Sequence, residues 1–199
     1  TVVSRCQHFK FKRPTEKTLS ELILSVSKKE GFSLDKPSVE LIALLGEGSF
    51  RDTLGILQKV ISSSDKKKIS EEDVLVVTGA PSSQLVNDVI VGIESGKVDG
   101  ALLAVGQAVA NNVDMKAMTK LLIRKMRSAM LLRYAPIMTA EIKNEFSEND
   151  FGLIKQMAES KSGRIGSRSL SRLLSVYEET GRSHLSQLPL EIAIVELCS

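Results

Sequence analysis

The sequence contains no tryptophan, and aromatic residues make up only 4% of its 199 positions. Strands favour aromatic and β-branched side chains, so this composition favours packed helices over a β-sandwich or a β-barrel. The same scarcity leaves few rings on which the bases of a single-stranded nucleic acid can stack. We therefore predict an all-α protein.

Metal-binding and disulfide-forming residues are also scarce. The two cysteines, Cys6 and Cys198, lie near opposite ends of the sequence, and the histidines, His8 and His184, are isolated. None of these residues has partners at the spacing of a zinc site. No signal peptide and no apolar run of membrane-spanning length is visible. We predict no metal site, free thiols and a cytoplasmic location.

The net charge is modest, at +3. The tight basic run at residues 66–68 is interpreted as a solvated loop before a helix. The other lysines and arginines are scattered along the sequence. A dedicated nucleic-acid-binding module would show a contiguous basic face on one exposed helix, so the scatter argues against that class.

Apolar residues recur at helical spacing through most of the chain. In residues 13–79 they form four short helices, whose predicted N-caps are Thr15, Asp35, Ser49 and Ser70. The helix-breaking sequence GAPSS at residues 79–83 predicts a domain boundary. Beyond it, six longer helices are predicted, and one of them starts after Ser147, which has capping-box spacing to an acid three residues later.

A self-contained active site is missing from the sequence. The stretch GEGS at residues 46–49 is too short for a phosphate-binding loop and lacks the following lysine. No Ser/His/Asp set is present, and the acids at residues 71–73 are typical of a helix start. Taken alone, this chain is not expected to be an enzyme.

Two arginines stand out as candidate functional residues. Arg5 lies between two small residues, Ser4 and Cys6, after a short turn or strand. Arg51 lies in the first turn of a predicted helix, where the helix dipole disfavours a cation. Either Arg51 forms a salt bridge with Glu47 or Asp52, or an anion such as a nucleotide phosphate binds beside it.

Three stretches of the sequence together resemble one family. Residues 3–11 (VSRCQHFKF) resemble the SRC motif of clamp-loader ATPases and its following strand, and residues 48–54 (GSFRDTL) resemble their second sensor motif. Residues 69–74 (ISEEDV) look like the end of their lid domain. The sequence is similar to the AAA+ clamp-loader family, and most similar to its gamma/tau-type subunits of bacterial DNA polymerase III.

The resemblance implies a domain organisation. Residues 1–12 correspond to the end of the ATPase domain, residues 13–79 to a helical lid and residues 80–199 to a helical collar that joins subunits. The ATPase domain, which binds ATP and Mg, is expected upstream of Thr1, so the chain is expected to be a C-terminal fragment. By this resemblance the fold class is all-α, and residues 1–12 are a short remnant of the ATPase domain.

The resemblance also implies roles for individual residues. Arg5 matches the arginine finger that reaches the γ-phosphate of a neighbour's ATP, and Arg51, with Phe50, matches the nucleotide sensor of the lid. Phe50 departs from the family's usual leucine, and Gln58-Lys59 replaces a common Asp-Gln pair.

The implied parent protein is an ATPase subunit of a DNA-directed DNA polymerase (nucleotidyltransferase) holoenzyme. It forms a hetero- or homo-oligomer that loads a sliding clamp onto primed DNA. Two alternatives stay open: a delta-prime-type or eukaryotic-type small loader subunit, and a nucleotide-independent helical adaptor or DNA-binding module.

Overall fold

The computed structural model describes residues 12–64 and 66–199 of the chain. The chain forms two compact units, Thr1–Thr78 (unit 1) and Gly79–Ser199 (unit 2). The all-α prediction is confirmed for the described residues, which are mostly helical and contain two strands of two residues each. Arg5 and the strand expected after the motif, within residues 3–11, lie outside the described part of the chain.

Unit 1 is built from short helices whose starts follow from local chemistry. The predicted N-caps are confirmed: Thr15, Asp35 and Ser49 each accept a hydrogen bond from the backbone N–H three residues later. Ser70 and Asp73 bond reciprocally at the start of the last helix. The elements of unit 1 are α1 (Glu16–Lys29), β1 (Ser33–Leu34), α2 (Lys36–Leu45), α3 (Phe50–Ser63), β2 (Lys68–Ile69) and α4 (Glu71–Thr78).

The core of unit 1 lies where α1, α2 and α3 meet. Leu19, Ile23, Ile42, Leu57 and Val60 are almost completely buried there, and each large aliphatic side chain contributes about 1.5–3 kcal/mol by leaving water. These residues recur at intervals of three and four along their helices, which is the spacing of one helix face. The apolar face of each helix therefore became part of the core.

The parallel pair β1–β2 was not predicted from the sequence. Ser33 pairs with Lys68 and Leu34 with Ile69, and the amide of Ser33 donates to the carbonyl oxygen of Lys67 at 2.8 Å. Two residues are too few to show the alternation that identifies a strand. The pairing depends on two loops that are far apart in sequence and are brought together by the helices.

Unit 2 contains helices arranged around one long central helix. Its elements are α5 (Ser83–Ser95), α6 (Val98–Ala110), α7 (Met115–Tyr134), a short 3₁₀ helix (Pro136–Met138), α8 (Thr139–Asn144), α9 (Glu148–Glu159), α10 (Ser167–Thr180) and α11 (Leu188–Cys198). The 20-residue α7 packs against α5, α9 and α10. The short helix α8 was missed, because six residues carry too little periodicity to be recognised.

Two features hold the helices of unit 2 close together. On α7, Met118, Leu122 and Met126 are fully buried, so flexible methionine side chains fill part of the core. Between α5 and α6 the backbones approach closely at Gly92, where an added Cβ would lie 2.7 Å from the Cβ of Ala101. A side chain at position 92 would therefore force the two helices apart.

Among the described residues, no single helix combines the length and the apolar character needed to span a membrane.

Candidate functional site

The start of α3 is shaped by the tight turn that follows α2. Glu47 and Gly48 both have positive φ values, 53° and 71°, a region that glycine adopts at little cost and other residues rarely do. The amide of Ser49 donates to the carbonyl oxygen of Gly46 at 2.8 Å and closes the turn. This turn sets the position at which α3 begins.

Gly46 and Thr53 fix the approach of α2 to α3. A Cβ added at Gly46 would lie 1.9 Å from Oγ1 and 3.0 Å from Cα of Thr53. Thr53 is fully buried, and its hydroxyl donates to the carbonyl oxygen of Ser49 at 2.8 Å. Because the clash would include backbone atoms, only glycine fits at position 46 with this geometry.

Ser49 caps the first turn of α3 and leaves two amides free. Its hydroxyl accepts from the amide of Asp52 at 3.2 Å, and its carbonyl accepts from the amide of Thr53 at 3.0 Å. The first amides of a helix have no partner within it. Within residues 12–64 and 66–199, nothing accepts from the amides of Phe50 and Arg51.

Both predicted sensor residues lie at this helix start. Phe50 is the first residue of α3 and is 48% exposed; Arg51 follows it and is exposed. The alternative in which Arg51 pairs with Glu47 or Asp52 is not observed, since no ion pair or hydrogen bond joins the Arg51 side chain to any described residue. The first turn of α3 thus presents a free cation and two free N–H groups to solvent.

A second cation, Arg13, lies beside the same turn and was not identified from the sequence. A Cβ on Gly48 would meet Cδ of Arg13 and the carbonyl oxygen of Pro14, each at 3.6 Å. The chain that leads into α1 therefore passes directly against the turn before α3. Arg5, the other predicted site residue, lies outside the described residues, so its distance from Arg51 is not defined.

A buried polar cluster in unit 2 is the largest feature that sequence reasoning missed. The ammonium of Lys125 on α7 donates to Asp150 on α9 at 2.7 Å, to Asn87 on α5 at 2.7 Å and to Ser83 at 2.6 Å. Asn87 and Ser83 also donate to the Asp150 carboxylate. Only 5% of the Lys125 side chain and 14% of the Asp150 side chain are exposed. This cluster joins three helices, and its polar groups satisfy one another.

The role expected for Asp150 was different. The spacing of Ser147 and Asp150 predicts a capping box, and the Ser147 hydroxyl does accept from the Asp150 amide at 3.2 Å. The Asp150 side chain, however, turns to the cluster. Burial raises its pKa, but the hydrogen bonds from Lys125, Asn87 and Ser83 together outweigh burial and hold the pKa below the ordinary value. The placement of Lys125 within the apolar pattern of α7 was the signal available in the sequence.

Arg133, near the end of α7, caps the C-terminal end of α9. Its guanidinium donates to the carbonyl oxygens of Met157, Ala158 and Ser160, at 2.7–3.0 Å, and to that of Ile165 at 2.9 Å. The first three carbonyls belong to the end of α9, where a helix lacks acceptor partners and favours a cation. Arg133 therefore serves the fold of unit 2.

A surface groove of about 450 Å³ lies between α10 and α11. Arg172 lines it and donates to Glu196 at 2.6 Å and to Glu179 at 3.3 Å. Hydrogen bonds to Glu196 and Glu179 raise the pKa of Arg172 and keep it charged, and the two carboxylates offset its positive charge. No group of three or more metal-ligating side chains occurs among the residues that the structure describes.

Comparison with known proteins finds relatives in DNA replication. The chain is 25% identical over all 199 residues to the DNA polymerase III subunit tau of Bacillus subtilis, of which it covers 34%. It is 40% identical over 74 residues, 37% of this chain and 12% of the relative, to the DNA polymerase III subunit gamma/tau of Mycoplasma genitalium. It is 30% identical over 113 residues, 55% of this chain and 32% of the relative, to the replication factor C subunit 2 of Oryza sativa subsp. japonica.

A solved structure shares the fold. The Bacillus subtilis DNA clamp loader delta protein matches 94% of this chain with 57% of its own, with a TM-score of 0.50 and 18% identity. No protein-family model matches the chain. The chain spans about a third or less of the length of the curated relatives given above.

Proposed function

This chain is a homologue of the DNA polymerase III gamma/tau subunits, and on that premise we propose that it is the nucleotide-sensing and subunit-joining part of a clamp-loader subunit. In this proposal residues 1–12 end an ATPase domain, residues 13–79 form its lid and residues 80–199 form the collar. The whole protein uses ATP and Mg to load a sliding clamp onto primed DNA, together with other loader subunits, in the cytoplasm.

The observation that carries the proposal is the free cation at the start of α3. Arg51 is exposed and bound to no described residue, in a helix turn whose dipole disfavours a cation. A phosphate beside Phe50 and Arg51 would accept from both free amides and pair with the guanidinium. We therefore propose that Arg51 contacts the nucleotide bound by its own subunit, so that the lid follows the nucleotide state.

Arg5 has a different proposed role. The motif at residues 4–6 supports an arginine finger that reaches the ATP of the neighbouring subunit. There it would stabilise the negative charge that develops in phosphoryl transfer. No other residue of the chain is proposed to act in the chemical step, because the groups that bind ATP and Mg belong to the ATPase domain.

The two arginines can be separated by substitution in the full-length subunit. Arg5→Ala should leave ATP binding by that subunit intact and lower hydrolysis at the adjacent site by about 10³-fold or more. Arg51→Ala should weaken nucleotide binding, or its coupling to loading, within its own subunit. Single-turnover hydrolysis in loaders with one mutated subunit measures both.

The matched control is Arg182→Ala, an exposed arginine outside the proposed sites, which should change neither reaction. A loss of hydrolysis confined to the mutated subunit's own site in Arg5→Ala would contradict the trans assignment. Assembly gives an independent test: residues 80–199 should associate with partner subunits, and a chain that stayed monomeric with each of them would contradict the collar assignment.

A eukaryotic-type small loader subunit is a second candidate. The 30% identity to replication factor C subunits 2 and 4, over 113 and 109 residues, favours it. The similarity to a tau subunit extends over the full chain, so we favour the gamma/tau type. The full-length sequence before Thr1 distinguishes a gamma/tau subunit from a delta-prime-type subunit, which lacks a complete phosphate-binding loop.

A further inference from the structure

The net positive charge of the chain comes from one helix. α7 contains six basic residues and no acidic residue, a charge of +6. The whole chain carries +3, so the 179 residues outside α7 carry −3 together. Most of the 27 lysines and arginines lie outside α7, as the scattered pattern in the sequence indicates, and α7 is the exception because it has no acidic residue.

Four of these six cations share one side of α7. Lys125 is buried against Asp150, and Arg133 caps α9. The remaining four follow one another at intervals of three or four residues, so they are neighbours along the helix surface. They extend over about 17 Å, with about 6 Å between most successive members. These cations, the α7 basic face, are Lys116, Lys120, Arg124 and Arg127.

Aromatic rings hold two of the cations in place. The ammonium of Lys116 lies 4.9 Å from the ring centroid of Tyr177, and the guanidinium of Arg124 lies 4.9 Å from that of Phe146. A ring attracts a cation without neutralising it. The Arg124 side chain is only 20% exposed and lies 4.0 Å from the carboxylate of Glu145, so most of it is covered by the protein.

Arg127 is the most available member of the α7 basic face. It is exposed, and no hydrogen bond or ion pair joins it to any residue within the described ranges. Lys116 and Arg127 are the exposed members of the face, and they direct positive charge toward solvent. Such a charge, in a chain that is otherwise negative, is complementary to a polyanion.

We propose that the α7 basic face binds the phosphodiester backbone of a nucleic acid. A strand advances about 3.4 Å per nucleotide in a duplex, so cations about 6 Å apart face roughly every second phosphate. The face covers about five nucleotides in this way. A straight, evenly spaced row of cations fits regularly spaced phosphates better than the irregular acids of a peptide.

Tyr134 adds a second kind of contact. It is 74% exposed and lies five helical turns after Lys116, so both residues fall on the same side of α7. A ring at the end of a cationic row offers a stacking surface for an unpaired base. The proposal rests on the charge and exposure of α7, and it can fail while the clamp-loader assignment stands.

The test is fluorescence anisotropy of the 199-residue chain with labelled duplex and single-stranded oligonucleotides over a range of salt concentrations. The variant Lys116→Gln/Lys120→Gln/Arg127→Gln should bind several sequences more weakly to the same degree. The slope of log affinity against log salt should fall by about 3, one unit for each phosphate that no longer pairs with a cation. Tyr134→Ala should weaken single-strand binding and leave duplex binding unchanged.

The matched control removes three exposed cations of unit 2 outside α7. The triple variant Lys97→Gln/Lys161→Gln/Arg182→Gln should keep the affinity and the slope of the unmodified chain. A charge-conserving variant, Lys116→Arg/Lys120→Arg/Arg127→Lys, should also bind, which separates loss of charge from loss of fold. Circular dichroism checks the helix content of each variant.

Three results would overturn the proposal. The unmodified chain could fail to bind either oligonucleotide at low salt, or the control triple could lose as much affinity as the α7 triple. Poly-glutamate could also compete with the oligonucleotide equally well per charge, and that outcome would assign the face to acidic polypeptides instead.

Discussion

The ammonium group of Lys125 lies 2.7 Å from a carboxylate oxygen of Asp150, and this ion pair joins α7 to α9 inside unit 2. Ser83 and Asn87 donate further hydrogen bonds to Asp150, which adds α5 to the junction. Removing one partner of a buried pair costs more than the pair contributes, because the other charge stays buried without compensation. The cluster therefore makes a specific prediction about stability.

Lys125→Met should lower the free energy of unfolding by about 3 kcal/mol, because Asp150 then keeps a largely buried charge without its cation. Urea denaturation measures this loss. The control is Lys155→Met. Lys155 lies 3.8 Å from Glu159, and the two side chains are 63% and 69% exposed. Because exposed ion pairs contribute little, this variant should change the free energy of unfolding by less than about 0.5 kcal/mol. Equal losses in the two variants would contradict the role assigned to the cluster.

The free energy of unfolding of unit 2 should fall at acidic pH, because the Asp150 carboxylate becomes protonated. The folded-state pKa of this carboxyl is below its ordinary value of 3.8, so its stabilising effect is complete above that value and is lost as the pH falls through the folded-state pKa. Asp150→Asn lacks this titration. The stability difference between the unmodified chain and Asp150→Asn should therefore narrow as the pH falls below the ordinary carboxyl pKa of 3.8.

Denaturation series at several pH values test this, with Glu159→Gln as the control at an exposed carboxyl. The control should follow the unmodified chain at each pH. A difference between the unmodified chain and Asp150→Asn that stayed constant from neutral to acidic pH would be inconsistent with the lowered pKa.

Gly46→Ala should destabilise unit 1 by about 2 kcal/mol. The new methyl group would overlap Thr53, including its Cα at 3.0 Å, so α2 and α3 would have to separate. Gly55→Ala is the matched control: Gly55 lies in α3, is exposed and has nothing within 4 Å of the added Cβ. Since alanine is the better helix former, this control should stabilise by about 0.5–1 kcal/mol, and thermal unfolding should show opposite shifts.

Arg133→Met should destabilise unit 2 by about 2–3 kcal/mol, because four carbonyl oxygens lose their donors. Arg133→Lys should recover only part of this loss, since an ammonium cannot reproduce the planar fork of the guanidinium. Arg127→Met on the same helix is the control and should stay within about 0.5 kcal/mol. Hydrogen exchange at the end of α9 should rise in Arg133→Met alone; unchanged protection there would contradict the capping role.

Local chemistry made much of the helical framework predictable. Thr15, Asp35 and Ser49 cap helices as expected, because each cap bonds to an amide only three residues away. The first of the six helices predicted beyond the GAPSS boundary is α5, and its apolar residues Val86, Val89, Ile90 and Ile93 are fully buried. The strands β1 and β2 and the helix α8 were missed, since they are too short to show a period.

The candidate site was predictable only in part. The position of Arg51 in the first turn of α3 follows from the Ser49 cap, but its lack of an ion pair could be established only from the fold. Arg13 was missed because its approach to Gly48 depends on how α1 is joined to the turn before α3. The assignments of Arg5 and Arg51 to ATP stay predictions.

The sequence by itself determined which segments are helical and which face of each is apolar, because capping and i, i+4 spacing act within a few residues. Only the tertiary structure decided that Asp150 binds Lys125 instead of completing a capping box with Ser147. It also decided which α7 cations are used internally and which remain on the α7 basic face. Both outcomes depend on contacts between helices far apart in the chain, whose geometry no local pattern specifies.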